Sequence, residues 1–159
     1  KFNLDSIRPT QAKVRKSIMD SIREFQSKSV LDLYSGSGTL GIESISRGSE
    51  SVCFVESDIK AIRILESNVD MLQLNSQCQI IKSEVTKFLK NHNKLYDIIF
   101  ADPPYGKYNF NEIFLDVKKI LKPGGIFCFE GKKCKLEINE QVKIKYYGNT
   151  QVIFWEKII

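Results

Sequence analysis

The sequence VLDLYSGSGTLG, residues 30–41, determines the fold class, because it has the pattern of a buried strand followed by a glycine turn and a helix. Glycine has no Cβ, so the backbone of such a turn can adopt positive φ angles and approach a bound molecule closely. The first N–H groups of the following helix point into the turn, where they can bind a ligand. We therefore predict a ligand-binding turn at Gly36 and Gly38, with a tight turn that binds nothing as the alternative.

Two cofactors fit this glycine pattern. The spacing Gly36-x-Gly38-x-x-Gly41 is also the dinucleotide fingerprint, and Glu56 lies where that fingerprint has an acid for the ribose hydroxyls. Asp32 distinguishes the two cofactors, because a carboxylate just before the glycines would repel a pyrophosphate. S-adenosylmethionine (SAM) has no phosphate and carries a sulfonium and an ammonium group, which an acid attracts. The sequence therefore favours SAM over NAD.

Composition and charge indicate a single globular domain with a polyanionic partner. The chain has 159 residues, of which 42% are hydrophobic and 27% charged, and no apolar run approaches the length of a membrane span. We expect one domain over residues 1–159, located in the cytoplasm and without a membrane partner. The net charge of +5 suits a nucleic acid, although a lysine-rich proteome explains it equally well. Because the chain starts with Lys1, we expect that its natural N-terminus is missing.

The cysteines and the histidine argue against a metal site. The four cysteines are Cys53, Cys78, Cys128 and Cys134. They form no C-x-x-C pair, so we expect buried thiols of a cytoplasmic protein. The single histidine, His92, lies in the polar run 90–94, which predicts a surface turn, and one histidine without paired ligands predicts no bound metal.

Hydrophobic periodicity predicts helices that alternate with strands. A helix over residues 10–26, with Thr10 as its N-cap, packs against the domain. Strands are predicted at 29–33, 51–55, 78–81, 96–101 and 126–130, and helices between them at 39–47, 59–72, 85–89 and 113–121. Two further extended runs, 142–147 and 150–158, are joined by Gly148-Asn149, which is a hairpin signal. This order predicts an α/β fold with a seven-stranded, mostly parallel sheet and a C-terminal antiparallel hairpin.

Three acidic residues, Asp32, Glu56 and Asp102, lie at the ends of predicted strands. Ligands of open parallel sheets bind outside the carboxyl ends of the strands, so one pocket can collect all three carboxylates. Ser83 and Glu84 follow the third strand, where such folds contact adenine. The same two residues could equally cap the short helix that follows.

The run Asp102-Pro103-Pro104-Tyr105 indicates the chemistry of the acceptor. The lone pair of an exocyclic nucleobase amine is delocalised into the ring, and two acceptors on its hydrogens favour the out-of-plane geometry needed to attack a methyl group. Asp102 supplies one acceptor. The carbonyl of Pro103 is the other, held rigidly because Pro104 restricts the preceding residue. Tyr105 offers a face on which an extruded base can stack. A rigid turn without chemistry is the alternative.

Motifs along nearly the whole chain together resemble one known family. They are Arg8-Pro9-Thr10, LDLYSGSGTLGIE at residues 31–43, Ser46-Arg47-Gly48, the run at residues 102–105, and Tyr147-Gly148. These motifs are similar to those of the RsmD family, the bacterial 16S rRNA guanine-N2 methyltransferases. The resemblance implies a Rossmann-like class I methyltransferase fold, SAM as methyl donor, and a guanine of 16S rRNA as acceptor, in free rRNA or a partly assembled small ribosomal subunit. Family members carry a basic arm at their start that this chain lacks.

The predicted site residues fall into three groups. Those predicted to be catalytic are Asp102, Pro103 and Tyr105. Those predicted to bind the cofactor are Asp32, Tyr34, Gly36, Gly38, Glu56, Ser83, Glu84 and Asp102. Those predicted to bind the substrate are Pro104, Tyr105, Arg8 and Thr10. Glu56 would accept hydrogen bonds from the ribose hydroxyls, and Asp32 would face the methionine ammonium or the ribose. We expect direct in-line methyl transfer by a monomer, with no metal and no strong base.

Three other functions remain open at this point. The first is an amino-methyltransferase acting on adenine or cytosine of DNA or RNA. The second is a NAD-dependent oxidoreductase, which would leave the run at residues 102–105 unexplained. The third is an RNA-binding module without catalytic activity, which a methyl-transfer assay would distinguish from an enzyme.

Overall fold

The computed structural model describes residues 9–159 as an alternation of helices and strands. In chain order the elements are α1 (Pro9–Ser21), β1 (Ser29–Leu33), α2 (Thr39–Ser46), β2 (Ser51–Glu56), α3 (Ile59–Met71), β3 (Cys78–Lys82), α4 (Val85–Asn91), β4 (Tyr96–Ala101), α5 (Phe110–Ile120), β5 (Leu121–Lys132), β6 (Lys143–Tyr147) and β7 (Thr150–Glu156). The strands form one sheet in the order β3-β2-β1-β4-β5-β7-β6. The first five are parallel to one another, and β7 runs antiparallel to both of its neighbours. The predicted α/β fold with a C-terminal hairpin is confirmed.

Apolar side chains cover both faces of the central strands. On one face, Leu31 and Ile99 pack with residues of α4 and α5. On the other, Val30 and Phe100 pack with residues of α1 and α3. Strands covered on both sides are apolar along most of their length, which is why β1 and β4 appear in the sequence as nearly continuous apolar runs.

The order of the strands reverses at β1, and this reversal fixes the position of the site. The chain proceeds outward from β1 to β2 and β3, and then returns to place β4 on the other side of β1. The loops that follow β1 and β4 therefore leave the sheet in opposite directions and open a crevice at its carboxyl edge. Among residues 9–159, no helix is long and apolar enough to cross a membrane.

The first helix is shorter than its periodicity predicts. It ends at Ser21 rather than at residue 26. Ile22 and Phe25 lie beyond its end, yet both are buried in the same apolar layer. Their spacing therefore continues the apolar pattern after the helix has stopped. Within the helix, Val14 and Ile18 pack in this layer with Val30 of the sheet.

Strand β5 begins earlier than predicted because its first residue pairs across an irregularity. Leu121 pairs with Tyr96 of β4, the register then shifts, and regular pairing resumes at Ile126. Gly124, with a φ of 79°, lies within the irregular stretch. The predicted strand corresponds to the regular part alone.

The run at residues 90–94 is exposed at every position except His92, which is half-buried. The ring of His92 stacks on Phe88 with centroids 4.2 Å apart, and its Nε2 lies 2.8 Å from the hydroxyl of Tyr96. The aromatic residues on both sides of the polar run thus partly cover a histidine that its sequence neighbours suggest is exposed.

All four cysteines are free thiols; Cys53 and Cys128 are buried, and the other two are half-buried.

The first fold prediction concerns Gly41, in the first turn of α2. A Cβ at this position would lie 2.4 Å from Cε1 of Phe54 and 2.8 Å from Cγ1 of Val52. Gly41→Ala gains helix propensity of about 1 kcal/mol, but overpacking of a closed core costs about 1–3 kcal/mol. We therefore expect a net loss of stability, measured by urea unfolding.

Ser46→Ala is the matched control, since Ser46 is exposed at the end of the same helix. It should leave the free energy of unfolding within about 0.5 kcal/mol of the wild type. A Gly41→Ala protein more stable than the wild type would contradict this packing of α2 against β2.

Candidate active site

A cleft of about 1070 Å³ opens at the carboxyl ends of the parallel strands. Its floor is formed by residues that follow or end β1, β2, β4 and β5. Its outer wall is formed by the first turns of α1 and by the turn of the β6–β7 hairpin. Predicted site residues that line it are Asp32, Tyr34, Gly36, Glu56, Ser83, Glu84, Asp102, Pro103, Pro104 and Tyr105. The structure therefore brings most of the predicted site together in one cleft.

The glycine turn has the conformation that the sequence predicts. Gly36 and Gly38 have φ angles of 55° and 85°, which residues with a Cβ rarely adopt. A Cβ on Gly38 would lie 2.3 Å from Cδ1 of Leu65, whereas no atom lies within 4 Å of the corresponding position at Gly36. Gly38 is thus required for packing under the turn, and Gly36 faces the open cleft.

Glu56 fixes the shape of this turn from the neighbouring strand. Its Oε1 accepts a hydrogen bond from the backbone N–H of Gly36 at 2.9 Å. Its Oε2 accepts from the N–H groups of Ser57 and Asp58 at 2.8 and 2.9 Å. Each carboxylate oxygen has two lone pairs, so three backbone donors leave acceptor capacity on the side of the cleft. The carboxylate is therefore held in place with room for a further donor.

Asp32 has a structural contact that the sequence did not reveal. Only 2% of the residue is exposed, and Oδ2 accepts a hydrogen bond from the N–H of Gly41 at 3.1 Å. Burial raises the pKa of this carboxyl well above its usual range, against the hydrogen bond from Gly41, and the charges of Asp102 and Glu56 raise it further. Asp32 thus ties β1 to the first turn of α2, and a cation in the cleft would favour its ionised form.

Two buried hydroxyl groups beside the turn lack partners. The hydroxyl oxygens of Tyr34 and Ser35 make no hydrogen bond within residues 9–159. The ring of Tyr34 lies 5.4 Å from that of Tyr108, which also lines the cleft and which the sequence analysis missed. Buried polar groups without partners are rare in proteins, so these hydroxyls are candidates for ligand contacts.

Neither Ser83 nor Glu84 caps α4 through its side chain. Ser83 Oγ donates to the carbonyl of Glu84 at 2.9 Å. Glu84 occupies the N-cap position, but its carboxylate makes no capping hydrogen bond. The capping alternative is therefore wrong for both side chains, and both line the cleft.

The run at residues 102–105 forms the mouth of the cleft. Asp102 is accessible from the cleft, but protein atoms enclose it on the other sides, and this desolvation raises the pKa of its carboxyl to about 6. Pro103 is buried, whereas 62% of Tyr105 is exposed. Asp102 is thus followed by the buried Pro103, and the exposed ring of Tyr105 lies at the same mouth of the cleft.

Glu130 is a further acid of the cleft, which the sequence analysis missed. Phe129 pairs with Ala101 in the register of β5 and β4, so the next residues, Glu130 and Asp102, lie side by side. Burial and the charge of Asp102 together raise the pKa of Glu130 to about 7, although Arg15 opposes the shift. Glu130 ends the predicted strand 126–130, as the other acids end theirs, and this shared position could have revealed it.

Two further residues, Arg8 and Thr10, were predicted to bind the substrate. Arg8 lies outside the described residues. The helix begins at Pro9, a favourable residue for a first turn, so Thr10 lies inside the helix and its assignment as N-cap is wrong. Within residues 9–159, no group of three or more His, Cys, Asp or Glu side chains could hold a metal ion.

The next prediction concerns the pH dependence of stability. The folded pKa of Asp102 lies near 6 and the usual value near 3.8, so ionisation disfavours the folded state in full above pH 6. This penalty shrinks as the pH falls from 6 towards 3.8. Asp102→Asn should therefore raise the melting temperature of the ligand-free protein at pH 8, by about 2–4 °C for each kcal/mol relieved.

Differential scanning fluorimetry at pH 8 and pH 4 measures this effect. Most of the gain should be lost at pH 4, where the carboxyl is protonated in the folded state and slightly less than half protonated in the unfolded chain. Glu66→Gln, on the exposed side of α3, is the control and should change little at either pH. An equal gain at both pH values would show that desolvation of the Asp102 charge is not its cause.

The strand order, the glycine turn after β1, the acid ending β2 and the Asp-Pro-Pro-Tyr run after β4 together define the class I methyltransferase fold. The solved structure of yhhF from Escherichia coli superposes with a TM-score of 0.86 at 22% identity, over 96% of this chain and 88% of that one. SMU.776, solved in complex with S-adenosylhomocysteine (SAH), has a TM-score of 0.74 at 15% identity, over 94% of this chain and 50% of that one. At these identities the likeness establishes the fold.

A family model described as "Conserved hypothetical protein 95" matches residues 1–156, and the chain belongs to this family. A Bacillus subtilis relative named "Putative rRNA methyltransferase YlbH" is 34% identical over 96% of this chain and 89% of its own length. The "Ribosomal RNA small subunit methyltransferase D" of Buchnera aphidicola from Acyrthosiphon pisum is 33% identical over 82% of this chain and 70% of its own length. The resemblance to the RsmD family is therefore confirmed.

Proposed function

We propose that this protein transfers a methyl group from SAM to the exocyclic N2 amine of a guanine in 16S rRNA. One observation carries the proposal: Asp102, at the end of β4, opens into the same cleft as the glycine turn and Glu56. An acceptor for the amine and a site suited to a nucleoside are thereby adjacent. The relatives named as small-subunit rRNA methyltransferases support rRNA as the substrate class.

The residues of the cleft fit SAM. When bound, SAM supplies a methyl group activated by a sulfonium leaving group. Glu56 has acceptor capacity for ribose hydroxyls beside the backbone of Gly36, which faces open space. The buried charge of Asp32 favours the positively charged methionine portion, and the hydroxyl of Tyr34 is a free donor. Ser83 and Glu84, whose side chains do not cap α4, are placed to contact adenine.

The residues at the mouth of the cleft orient the amine. Asp102 accepts one N2 hydrogen and the carbonyl of Pro103 the other, which draws the nitrogen lone pair out of conjugation with the ring. Tyr105, largely exposed, stacks on the base once it has left its RNA stack. No strong base is needed, because the amine becomes acidic only after it is methylated. Its proton then passes to Asp102, whose pKa near 6 suits that role, or to water.

The partner is 16S rRNA, free or within a partly assembled small subunit. The net charge of +5 favours a polyanion, and an rRNA substrate places the enzyme in the cytoplasm. We propose that it acts as a monomeric single domain without a metal. We also propose that the first turn of α1, and Arg8, which lies outside the described residues, contact the RNA.

The cofactor prediction concerns Glu56. Calorimetry should detect binding of SAH and none of NAD. Glu56→Gln replaces one oxygen by an amide nitrogen that cannot accept from the ribose or from a backbone N–H. We expect it to weaken SAH binding by about 1–3 kcal/mol. Glu50→Gln, an exposed residue before β2, is the matched control. Equal affinity of the Glu56→Gln protein and the wild type would remove this carboxylate from the cofactor site.

The activity prediction separates methyl transfer from cofactor binding. Asp102→Asn keeps the shape and one acceptor oxygen, but loses the charge that faces the amine as it becomes cationic. Turnover on small subunits that lack the modification should fall by about 10²–10³-fold, as for other preorganised electrostatic contacts. SAH affinity should change little, because the carboxylate faces the acceptor.

The position of the methyl group tests the proposal as a whole. Mass spectrometry of nucleosides from the methylated rRNA should detect N2-methylguanosine. N6-methyladenosine or N4-methylcytidine in its place, or undiminished turnover of the Asp102→Asn protein, would refute the proposed function.

A further inference from the structure

Glu130 has no assigned part in the site described so far, although it lines the cleft beside the reacting position. Parallel strands lie about 4.8 Å apart, and Glu130 and Asp102 follow a directly paired couple of residues on neighbouring strands. Two carboxylates at this spacing can reach two adjacent hydrogen-bond donors of one planar ligand. The proposed role of Asp102 uses only one such donor.

The surroundings of Glu130 disfavour its ionised form. Burial and the neighbouring charge both raise the pKa of Glu130, and only Arg15 acts in the opposite direction. Arg15 lies on α1 and also lines the cleft. A ligand N–H that donates to Glu130 would replace the hydrogen bonds to water that this carboxylate loses on burial.

Guanine differs from the other amine-bearing bases in the atom beside the amine. The carbon that carries N2 in guanine is bonded to N1–H, a donor. The amine-bearing carbon of adenine is bonded to N1, and that of cytosine is bonded to N3. Both of these nitrogens are acceptors. An ionised carboxylate accepts only, so it binds the guanine edge and repels the other two.

We infer that Glu130 is a specificity-determining residue, whose carboxylate accepts the N1–H of the target guanine while Asp102 accepts an N2 hydrogen. This inference rests on the proposed function, since it concerns the base bound in the same cleft. The charge of Arg15 and an N–H donated by the base both favour the ionised form of Glu130, against its burial. Selection among bases then arises from the pairing of two acids across β4 and β5 with two adjacent donors on one base edge.

A base analogue removes this contact. 2-Aminopurine keeps the exocyclic 2-amine of guanine but lacks O6, and its N1 is an unprotonated acceptor, so the Glu130 variants separate the N1 contact from the loss of O6. Small subunits reconstituted with 16S rRNA that carries guanine or 2-aminopurine at the mapped position are the two substrates. The measured quantity is the ratio of kcat/KM for guanine to kcat/KM for 2-aminopurine. We expect the wild type to favour guanine by about 10–100-fold.

Glu130→Gln should reduce this ratio by about tenfold or more, because its amide can donate to N1 of 2-aminopurine. Glu130→Asp keeps the charge and should retain a preference for guanine, even if its turnover is lower. Glu156→Gln is the matched control, since Glu156 pairs with Ile126 at the opposite edge of the sheet. SAH affinity and melting temperature establish that each variant is folded.

The possible outcomes are distinct. A Glu130→Gln protein that loses activity on both substrates equally would overturn the inference, because Glu130 would then support only the structure of the site. A wild type without a preference between the substrates would overturn it as well. If Glu130→Gln does not fold, a Glu130→Asp protein that has lost the preference has the same consequence. Absence of N2-methylguanosine from the wild-type reaction would instead refute the proposed function.

Discussion

The carboxylate of Glu56 is the contact on which the site depends. It receives the backbone N–H groups of Gly36, Ser57 and Asp58, and so joins the turn after β1 to the end of β2 and the start of α3. Backbone at positive φ angles is strained for most residues and persists where the surrounding structure fixes it. One acid does this here, and the same acid faces the cleft. The residue that shapes the cofactor turn is therefore also the one proposed to bind the ribose.

Acidic residues at the two ends of the sheet have pKa values that are shifted in opposite directions. At the amino ends, Asp97 accepts from Ser29 at 2.8 Å and from Lys122 at 3.2 Å, and although desolvation opposes them, these bonds lower the pKa of its carboxyl. At the carboxyl ends, desolvation dominates and raises the pKa values of Asp102 and Glu130. Electrostatic strain of this kind is typical of functional sites. A cationic cofactor and a donor-rich base edge would both relieve it.

The sequence predicted the strands more accurately than the contacts between them. The bounds of β1 and β4 match their predicted ranges, since each is a short apolar run that ends at an acid or a turn. Glu130 was missed because its importance arises from pairing in register with β4, which one chain segment does not show. The end of α1 was misplaced because Phe25 stays buried outside the helix. His92 was predicted to be exposed because its sequence neighbours are polar. Its ring is half-buried, because aromatic residues four positions away on each side stack on it.

The hairpin explains why the cleft has an outer wall at all. The parallel strands alone would leave the acceptor side of Asp102 open, but β7 and β6 extend the sheet on that side. The hydroxyl of Tyr147 donates to Ser17 Oγ, and Lys145 Nζ donates to Ser21 Oγ at 2.7 Å, so the hairpin holds α1 over the sheet. This brings Arg15 towards Glu130. The acceptor half of the cleft is thus built from the two ends of the described chain, and the charge that opposes the raised pKa of Glu130 comes from α1.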